Sequence, residues 1–344
     1  MEDIQNEIIK ALEASLSEKS NYAQFNNHNY KPAQLSKDNF YNIGNVKTTK
    51  RIAFIDGGNS EILNAANFSL QIIRIYHTIY QKNARINSKK YEFYLLINAS
   101  NKEGNILYNT KVFPINYDFP DMVFNSFDDT IKQGNNRIKA GKIGEIIRKL
   151  AEIKVAETLV CELSDGDVIV RDGDLKACAT YEQQYYESLY KKAAAKKVII
   201  AGLSKTSELF TDKGNSLLVT LNEMSPESSW YYYPLVEINS DKHQSEIYII
   251  KLNKHSNYLF KFEIYKNSKY DIMQVMSLLQ KNSVDPVFLG YPYGLVEADK
   301  FARISNNEAE TLKIQFIAKA GKKWNVLKQY LNTTNAHTIL DKIS

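Results

Sequence analysis

The sequence predicts a mixed α/β fold, and three observations predict it. Three consecutive apolar segments, rich in β-branched and aromatic residues, follow one another without a helix-length link. One long amphipathic stretch comes next. Two short apolar runs then follow, separated by a second helical stretch. The resulting order is β-β-β-α-β-α-β. Short links between the first three strands imply an antiparallel meander. A helix between two strands implies parallel pairing through a right-handed crossover.

The elements follow in chain order. Residues 2–18 read as an amphipathic helix, with Ile4, Ile8, Leu12 and Leu16 at i+4 spacing. Residues 19–47, rich in Asn, Tyr and Ser, read as an irregular connector. Arg51–Asp56 (RIAFID) is a short strand running into Gly57-Gly58, and Phe68–Tyr80 and Tyr91–Ala99 are the next two strands. Lys139–Leu163 is the long helix, with Ile143, Ile146, Ile147, Leu150 and Ile153 on one face. Asp167–Asp172 is a strand broken by Gly173, Thr180–Lys196 a helix, and Lys197–Leu203 a strand. This order is that of a ribonuclease H-like core. Beyond it, Trp230–Val236, Glu246–Leu252 and Tyr258–Ile264 read as strands, and Tyr270–Gln280, Leu295–Ile304 and Lys322–Leu331 as helices. No Gly/Pro-rich linker divides the chain. The expected organisation is therefore a helix and connector over 1–47, one elaborated domain with insertions over 48–320, and a C-terminal helix within 321–344.

Composition narrows the function. Hydrophobic residues make up 44% and charged residues 24%, enough to bury a sizeable core and too apolar for a disordered chain. The net charge of +5 is too mild to imply a nucleic-acid partner by itself. Two cysteines, Cys161 and Cys178, exclude a disulfide framework and a Cys-rich zinc module. No apolar run reaches the roughly 18 residues of a membrane span. The acidic N-terminus lacks the pattern of a secretory signal. The expected location is a reducing cytoplasm, with no membrane partner.

Two strands end alike, in an apolar run followed by Asp-Gly: Ile55-Asp56-Gly57 and Arg171-Asp172-Gly173. Asp-Gly is ordinary turn chemistry. In parallel neighbouring strands, however, both carboxylates reach the same carboxyl edge, where open α/β sheets bind ligands. Two close carboxylates repel unless a proton or cation lies between them. All-oxygen ligation suits Mg²⁺ or Mn²⁺.

A third acid is expected from the long helix, and Glu145, Glu152 and Glu157 are the candidates. The strand climbs six residues to Asp172, roughly 20 Å at 3.3 Å per residue. The helix descends roughly 18 Å from Glu152 to Ser164, against roughly 10 Å from Glu157 and 28 Å from Glu145. Height favours Glu152. A straight helical wheel places Glu157, not Glu152, on the apolar face. The reading takes Glu152 and leaves the other two open.

These residues resemble the NurA nuclease family. The matching pieces are the strand with Asp56-Gly57, the helix with Arg148 and Glu152, and Asp172-Gly173-Asp174-Leu175. They continue with Gly202-Leu203-Ser204-Lys205-Thr206, and with the run from Gly290-Tyr291-Pro292-Tyr293-Gly294-Leu295-Val296-Glu297-Ala298-Asp299 to Ala302-Arg303-Ile304. The resemblance covers roughly residues 50–305. It implies a manganese-dependent DNA nuclease with a ribonuclease H-like core. It also implies a homodimer that works with a hexameric HerA-type ATPase in DNA end resection. By motif, Asp56, Glu152 and Asp172 are the acidic metal ligands and Tyr291 is the active-site tyrosine. The family commonly has His where this chain has Asp299, and Ser where it has Gly58. Asp299 can bind a hard cation but cannot act as an imidazole.

The expected chemistry is two-metal phosphodiester hydrolysis. Asp56 and Asp172 share one ion, and Glu152 or Asp299 with Asp56 holds a second; ions roughly 3.5–4 Å apart serve the attacking and leaving oxygens. Tyr291 positions a phosphate or stacks on a base, and Lys205 contacts a phosphate. Other signals are bland. His77 reads as a packed or edge histidine; His28, His243, His255 and His337 lack zinc-hydrolase spacing. The Trp230-Tyr231-Tyr232-Tyr233 run reads as strand core or dimer contact rather than a stacking platform. Lys322, Lys323 and Lys328 read as a solvated helix face. No G-x-x-x-x-G-K-[ST] loop is present, so ATP-driven movement must come from a partner. No G-x-S-x-G elbow is present either. Two competing readings are a catalytically weak or inactive DNA-binding scaffold of the same fold and an actin-like ATP phosphotransferase. The second normally needs two such domains and a Gly-rich adenosine loop, whereas this chain has only 14 glycines.

Overall fold

A computed structural model describes residues 2–15, 20–205 and 208–332. Leu16 and the end of the first predicted helix, Thr206, and residues 333–344 with His337 lie outside the described residues. The elements begin with α1 (Glu2–Ser15), β1 (Tyr30–Pro32), β2 (Phe40–Asn42), β3 (Arg51–Asn64), β4 (Phe68–Gln81), β5 (Ala84–Lys102), β6 (Asn105–Pro114) and β7 (Val123–Asn125). They continue with α2 (Lys142–Leu159), β8 (Val168–Asp172), α3 (Glu182–Lys196), β9 (Ile199–Ser204), α4 (Leu217–Met224), β10 (Trp230–Tyr232) and β11 (Val236–Ile238). The last are β12 (Ser245–Lys251), β13 (Phe260–Tyr265), α5 (Ile272–Lys281), α6 (Tyr293–Ala302), α7 (Asn306–Ala320) and α8 (Trp324–Asn332). No helix among the described residues is long and apolar enough to cross a membrane.

The described residues fall into two compact units. One draws on Met1–Lys50, Asp172–Lys176 and Ile199–Tyr293, the other on Arg51–Arg171, Ala177–Val198 and Gly294–Ser344. The second unit holds the meander. Its strands run β8-β3-β4-β5-β6-β7. Every neighbouring pair is antiparallel except β3 with β8, which is parallel from Ile52↔Val168 to Ile55↔Arg171. Ile52, Ala53, Phe54 and Ile55 are all buried, the continuous apolar run of a central strand covered on both faces. Helix α2 buries Ile143, Ile147, Leu150, Ala151 and Ile153 and packs against β3, β4 and α3. At the start of β3, Arg51 donates its backbone N–H and its Nε to Asp167, both at 2.8 Å, which fixes the entry to β8. Gly166 N–H donates to Lys197 O (2.9 Å), joining the approaches to β8 and β9.

The first unit orders its strands β2-β10-β12-β13-β9, all antiparallel, with a separate β1–β11 pair. Trp230, Tyr232, Leu235, Ile247 and Ile249 form its core with Leu217 and Leu221 of α4. Gly173 N–H donates to Leu203 O (2.9 Å) where β8 ends beside β9. The order β5-β4-β3-β8-β9 is that of the ribonuclease H-like core read from the sequence.

Several elements differ from the sequence reading. Strand β3 does not stop at Asp56 but continues through Gly57 and Gly58 to Asn64. These glycines serve close approach rather than a turn. A Cβ on Gly57 would stand 2.5 Å from Glu152 Oε1, and one on Gly58 would stand 2.3 Å from the carbonyl oxygen of Ala302. At the end of β8, by contrast, Gly173 is a true turn residue, with φ +96°. The predicted Trp230–Val236 strand is two strands, β10 and β11, separated at the cis Tyr233–Pro234 bond. Residues 19–47, expected to be an irregular connector, hold β1 and β2, which pair with β11 and β10, and β6, β7, α4 and α7 also lie outside the predicted elements. Ile4 and Ile8 on α1 are exposed.

Candidate active site

The parallel register decides where the two Asp-Gly carboxylates lie. Ile55 pairs with Arg171, so Asp56 and Asp172 are the next residues along neighbouring strands running the same way. Asp56 is buried, Asp172 half-buried and Asp299, on α6, exposed. Among the described residues, one carboxylate oxygen from each of these three lies within 4.8 Å of the others. Asp56 Oδ1 also accepts the Gly57 N–H at 2.7 Å. Lys205 Nζ lies 2.8 Å from Asp172 Oδ2, so a cation already sits on that carboxylate.

Helix α6 is held hard against β3 and β4. Near its start, a Cβ on Gly294 would fall 2.0 Å from the Phe54 ring; at its end, Ala302 abuts Gly58. Between these points the buried Glu297 accepts from Tyr80 (2.5 Å), Arg85 (2.6 Å) and Tyr76 (2.9 Å). Burial alone would raise the Glu297 carboxyl, but these donors hold it below the ordinary carboxylate value. Arg74 secures the following turn, donating to Arg303 O at 3.1 Å and pairing with Glu92 and Glu308. Asp299, two residues beyond Glu297, is thereby positioned. This role of Glu297 is not evident from the motif that contains it. The signal was a carboxylate two positions from a predicted site residue on one short helix.

The three acids of α2 point three ways. Glu152 is buried beside β3 and β8. Its Oε2 accepts from Arg171 Nη2 (2.8 Å), and its Oε1 accepts from Arg148, which also donates to Gly57 O (3.0 Å). It lies outside the group of three aspartates. Glu157, also buried, faces α3 and accepts from Ser188 (3.0 Å) and Lys192 (2.5 Å). Glu145 is exposed, paired with Lys142. Tyr291 is buried, its ring against Phe288 (4.9 Å) and Phe260 (5.1 Å). His77 packs inside β4 with both ring nitrogens lacking hydrogen-bond partners; burial, aided by Lys89, pushes its pKa down to about 4. Trp230–Tyr232 form buried strand β10, and Tyr233 follows it half-buried. Trp230 and Tyr232 are fully buried, Tyr231 stacks on Tyr41, and Tyr233 stacks on Tyr248.

A protein-family model of the NurA domain matches residues 50–304. The chain belongs to the NurA family. Its fold is similar to the crystal structure of the NurA nuclease from Sulfolobus solfataricus. The TM-score is 0.54 at 12% identity, over 83% of this chain and 89% of that one. The catalytic domain of human endonuclease V matches with a TM-score of 0.38 and 10% identity, over 73% of this chain and 80% of that one. A. aeolicus Argonaute matches with a TM-score of 0.36 and 11% identity, over 75% of this chain and 28% of that one. A comparison with curated proteins finds no match. In this NurA-family chain, three carboxylate oxygens, from the middle of β3, the end of β8 and one clamped helix, form a hard, all-oxygen donor set. Such a set fits a divalent cation of the Mg²⁺ or Mn²⁺ type and is poorly suited to zinc.

Proposed function

We propose that this chain is a metal-dependent DNA nuclease that hydrolyses phosphodiester bonds at the Asp56–Asp172–Asp299 group. The convergence of three carboxylate oxygens within 4.8 Å carries the reading. Asp56, within β3, and Asp172, at the end of β8, would hold the ion together with Asp299 of α6. A bound divalent ion polarises the scissile phosphate and lowers the pKa of a bound water. Glu152 lies outside that group, with both oxygens accepting from Arg148 and Arg171, and would join the ligands only by releasing them. Lys205 neutralises Asp172 in the absence of an ion and turns to a substrate phosphate when the carboxylate is engaged. Tyr291 fixes the Gly290–Tyr293 segment that leads into α6.

The resemblance supports a finer reading: Mn²⁺ as the preferred ion, two ions per site, a homodimer, and a HerA-type hexameric ATPase as partner in DNA end resection. The test is a time course of end-labelled DNA with Mn²⁺, with Mg²⁺ and with EDTA, for the wild type and Asp56→Asn. Metal-dependent cleavage that Asp56→Asn abolishes supports the reading; undiminished cleavage removes Asp56 from the mechanism. One observation favours a second reading. Lys205 already neutralises Asp172, and Asp299 stands where the family commonly has His, as expected of a scaffold that binds DNA without cutting it. Tight DNA binding with no hydrolysis in Mn²⁺ would decide for the scaffold.

A further inference from the structure

A buried carboxylate from another strand holds the turn that follows Asp172. Asp172 ends β8, and Gly173, Asp174 and Leu175 carry the chain away from it. Left to itself, a strand end followed by a positive-φ glycine would pivot there. Three contacts stop it. Gly173 N–H donates to Leu203 O of β9 at 2.9 Å. Gly202 of β9 lets the turn lie close, since a Cβ there would stand 2.5 Å from Gly173 O and 3.3 Å from Leu175 Cγ. Leu175 is buried, and its N–H donates at 3.0 Å to Oε2 of Glu263 on β13, the residue opposite Gly202 in the sheet.

Glu263 is itself fully buried. Its Oε2 also accepts from His243 Nε2 (2.8 Å) and Ser245 Oγ (3.1 Å), and its Oε1 pairs with Lys261 Nζ (2.8 Å). The Tyr30 hydroxyl meets the other ring nitrogen of His243 at 2.7 Å and fixes the imidazole from behind. Burial would raise the Glu263 carboxyl, but His243 and Lys261 hold it well below the carboxylate range. Buried ion pairs contribute little to stability, because removing the charges from water costs about what their attraction returns. An apolar side chain at 263 would avoid that cost. What it could not supply is an acceptor for Leu175 N–H. Lys261 acts on the same turn, with Nζ 4.0 Å from Asp174 Oδ2. All these residues belong to the first unit, and Asp172 is the one member of the aspartate group that this unit contributes.

We infer that Glu263 is a positioning residue for the proposed reaction: through Leu175 N–H it sets where the Asp172 carboxylate stands, and so how tightly the aspartate group holds a divalent ion. The inference rests on the proposed metal site.

The test compares Glu263→Gln with Glu263→Met in the intact protein. Three donors meet Oε2 and one meets Oε1, so the Gln amide oxygen takes the Oε2 place. That variant keeps the Leu175 bond and loses the charge facing Lys261. Met fills the same space without a carboxylate oxygen. Both variants melt below the wild type. Calorimetric titration with Mn²⁺, without DNA and well below either melting temperature, separates them. Glu263→Gln binds Mn²⁺ as the wild type does, and Glu263→Met binds it roughly tenfold more weakly or worse, the scale of one hydrogen bond to a charged group. In cleavage of end-labelled DNA, the Mn²⁺ concentration for half-maximal rate rises in Glu263→Met and is native in Glu263→Gln. A purely structural Glu263 would lower the active fraction in both variants and leave that concentration unchanged. Gly202→Ala displaces the turn without touching the charged cluster and weakens Mn²⁺ binding likewise; it carries the test if Glu263→Met does not fold. Native Mn²⁺ affinity in folded Glu263→Met or in Gly202→Ala overturns the inference, as does equal weakening in Glu263→Gln and Glu263→Met. A wild type that binds no Mn²⁺ ends the metal site and this inference with it. A wild type that binds Mn²⁺ and cleaves nothing ends only the nuclease reading.

Discussion

Replacing Gly58 with alanine tests how Asp299 is held. Gly58 of β3 pairs with Arg74 of β4, and a Cβ there would stand 2.3 Å from Ala302 O and 3.0 Å from Ala302 C. Both are backbone atoms at the end of α6, so no side-chain rotation relieves the clash. Restoring ordinary contact near 3.4 Å moves that end by 3.4 − 2.3, about 1.1 Å. The move is resisted by the Glu297 cluster, by Gly294 against Phe54, and by the Arg74–Arg303 bond. Overpacking of this kind costs about 1–3 kcal/mol, a fall of several degrees in Tm for a protein of this size. Asp299 lies one turn before Ala302 and moves with it. A displacement near 1 Å in a metal-binding carboxylate lowers turnover by about 100-fold. Thermal unfolding and Mn²⁺-dependent cleavage of end-labelled DNA read the two effects. A Gly58→Ala protein with native Tm and native rate would refute the claim that this contact sets the position of Asp299.

Four further outcomes are expected. Mn²⁺ raises the wild-type Tm, by about 2.7 kcal/mol of stability at a hundred times Kd; Asp56→Asn loses that rise, and a rise that persists in the variant removes Asp56 as a ligand. Glu152→Gln leaves the buried Arg171 guanidinium short of its counter-charge and costs about 3–5 kcal/mol in urea unfolding. If its Mn²⁺-induced rise is intact, Glu152 is a structural partner and not a ligand. Lys205→Gln frees the partly exposed Asp172 carboxylate, so Mn²⁺ binds up to about fivefold more tightly while cleavage slows; unchanged binding and rate would leave Lys205 with neither role. His77 gives a pH dependence. Above its ordinary pKa of 6.5 the ring is neutral in both folded and unfolded states; as pH falls toward about 4, only the unfolded state takes up the proton, and up to ~3 kcal/mol of stability is lost. His77→Leu removes that loss, seen as a smaller difference between urea midpoints at pH 7 and pH 4.5, and an equal difference in both proteins refutes it.

The central strands were readable because burial on both faces writes itself as an unbroken apolar run: Ile52–Ile55 and Val168–Val170 could be little else. The meander was readable from its short links. Strand β6 and helix α7 were not, because their positions mix exposed and buried residues and their identity is settled by the neighbour they pair with or pack on. The two glycines after Asp56 misled for a related reason. A sequence cannot distinguish a glycine needed for positive φ from one needed for space, and only the packed Glu152 and Ala302 reveal that Gly57 and Gly58 are of the second kind.

Local pattern by itself therefore determined the strand order and the placing of Asp56 beside Asp172, since covalent continuity and the right-handed crossover leave those two parallel strands nowhere else to go. Tertiary structure alone decided which other groups join or flank them. Glu152 is drawn to two arginines, and Asp299 is brought in from more than a hundred residues away on a helix that Gly58, Gly294 and Glu297 pin in place. Such contacts are set by close packing between segments distant in the chain, which no spacing along the chain encodes.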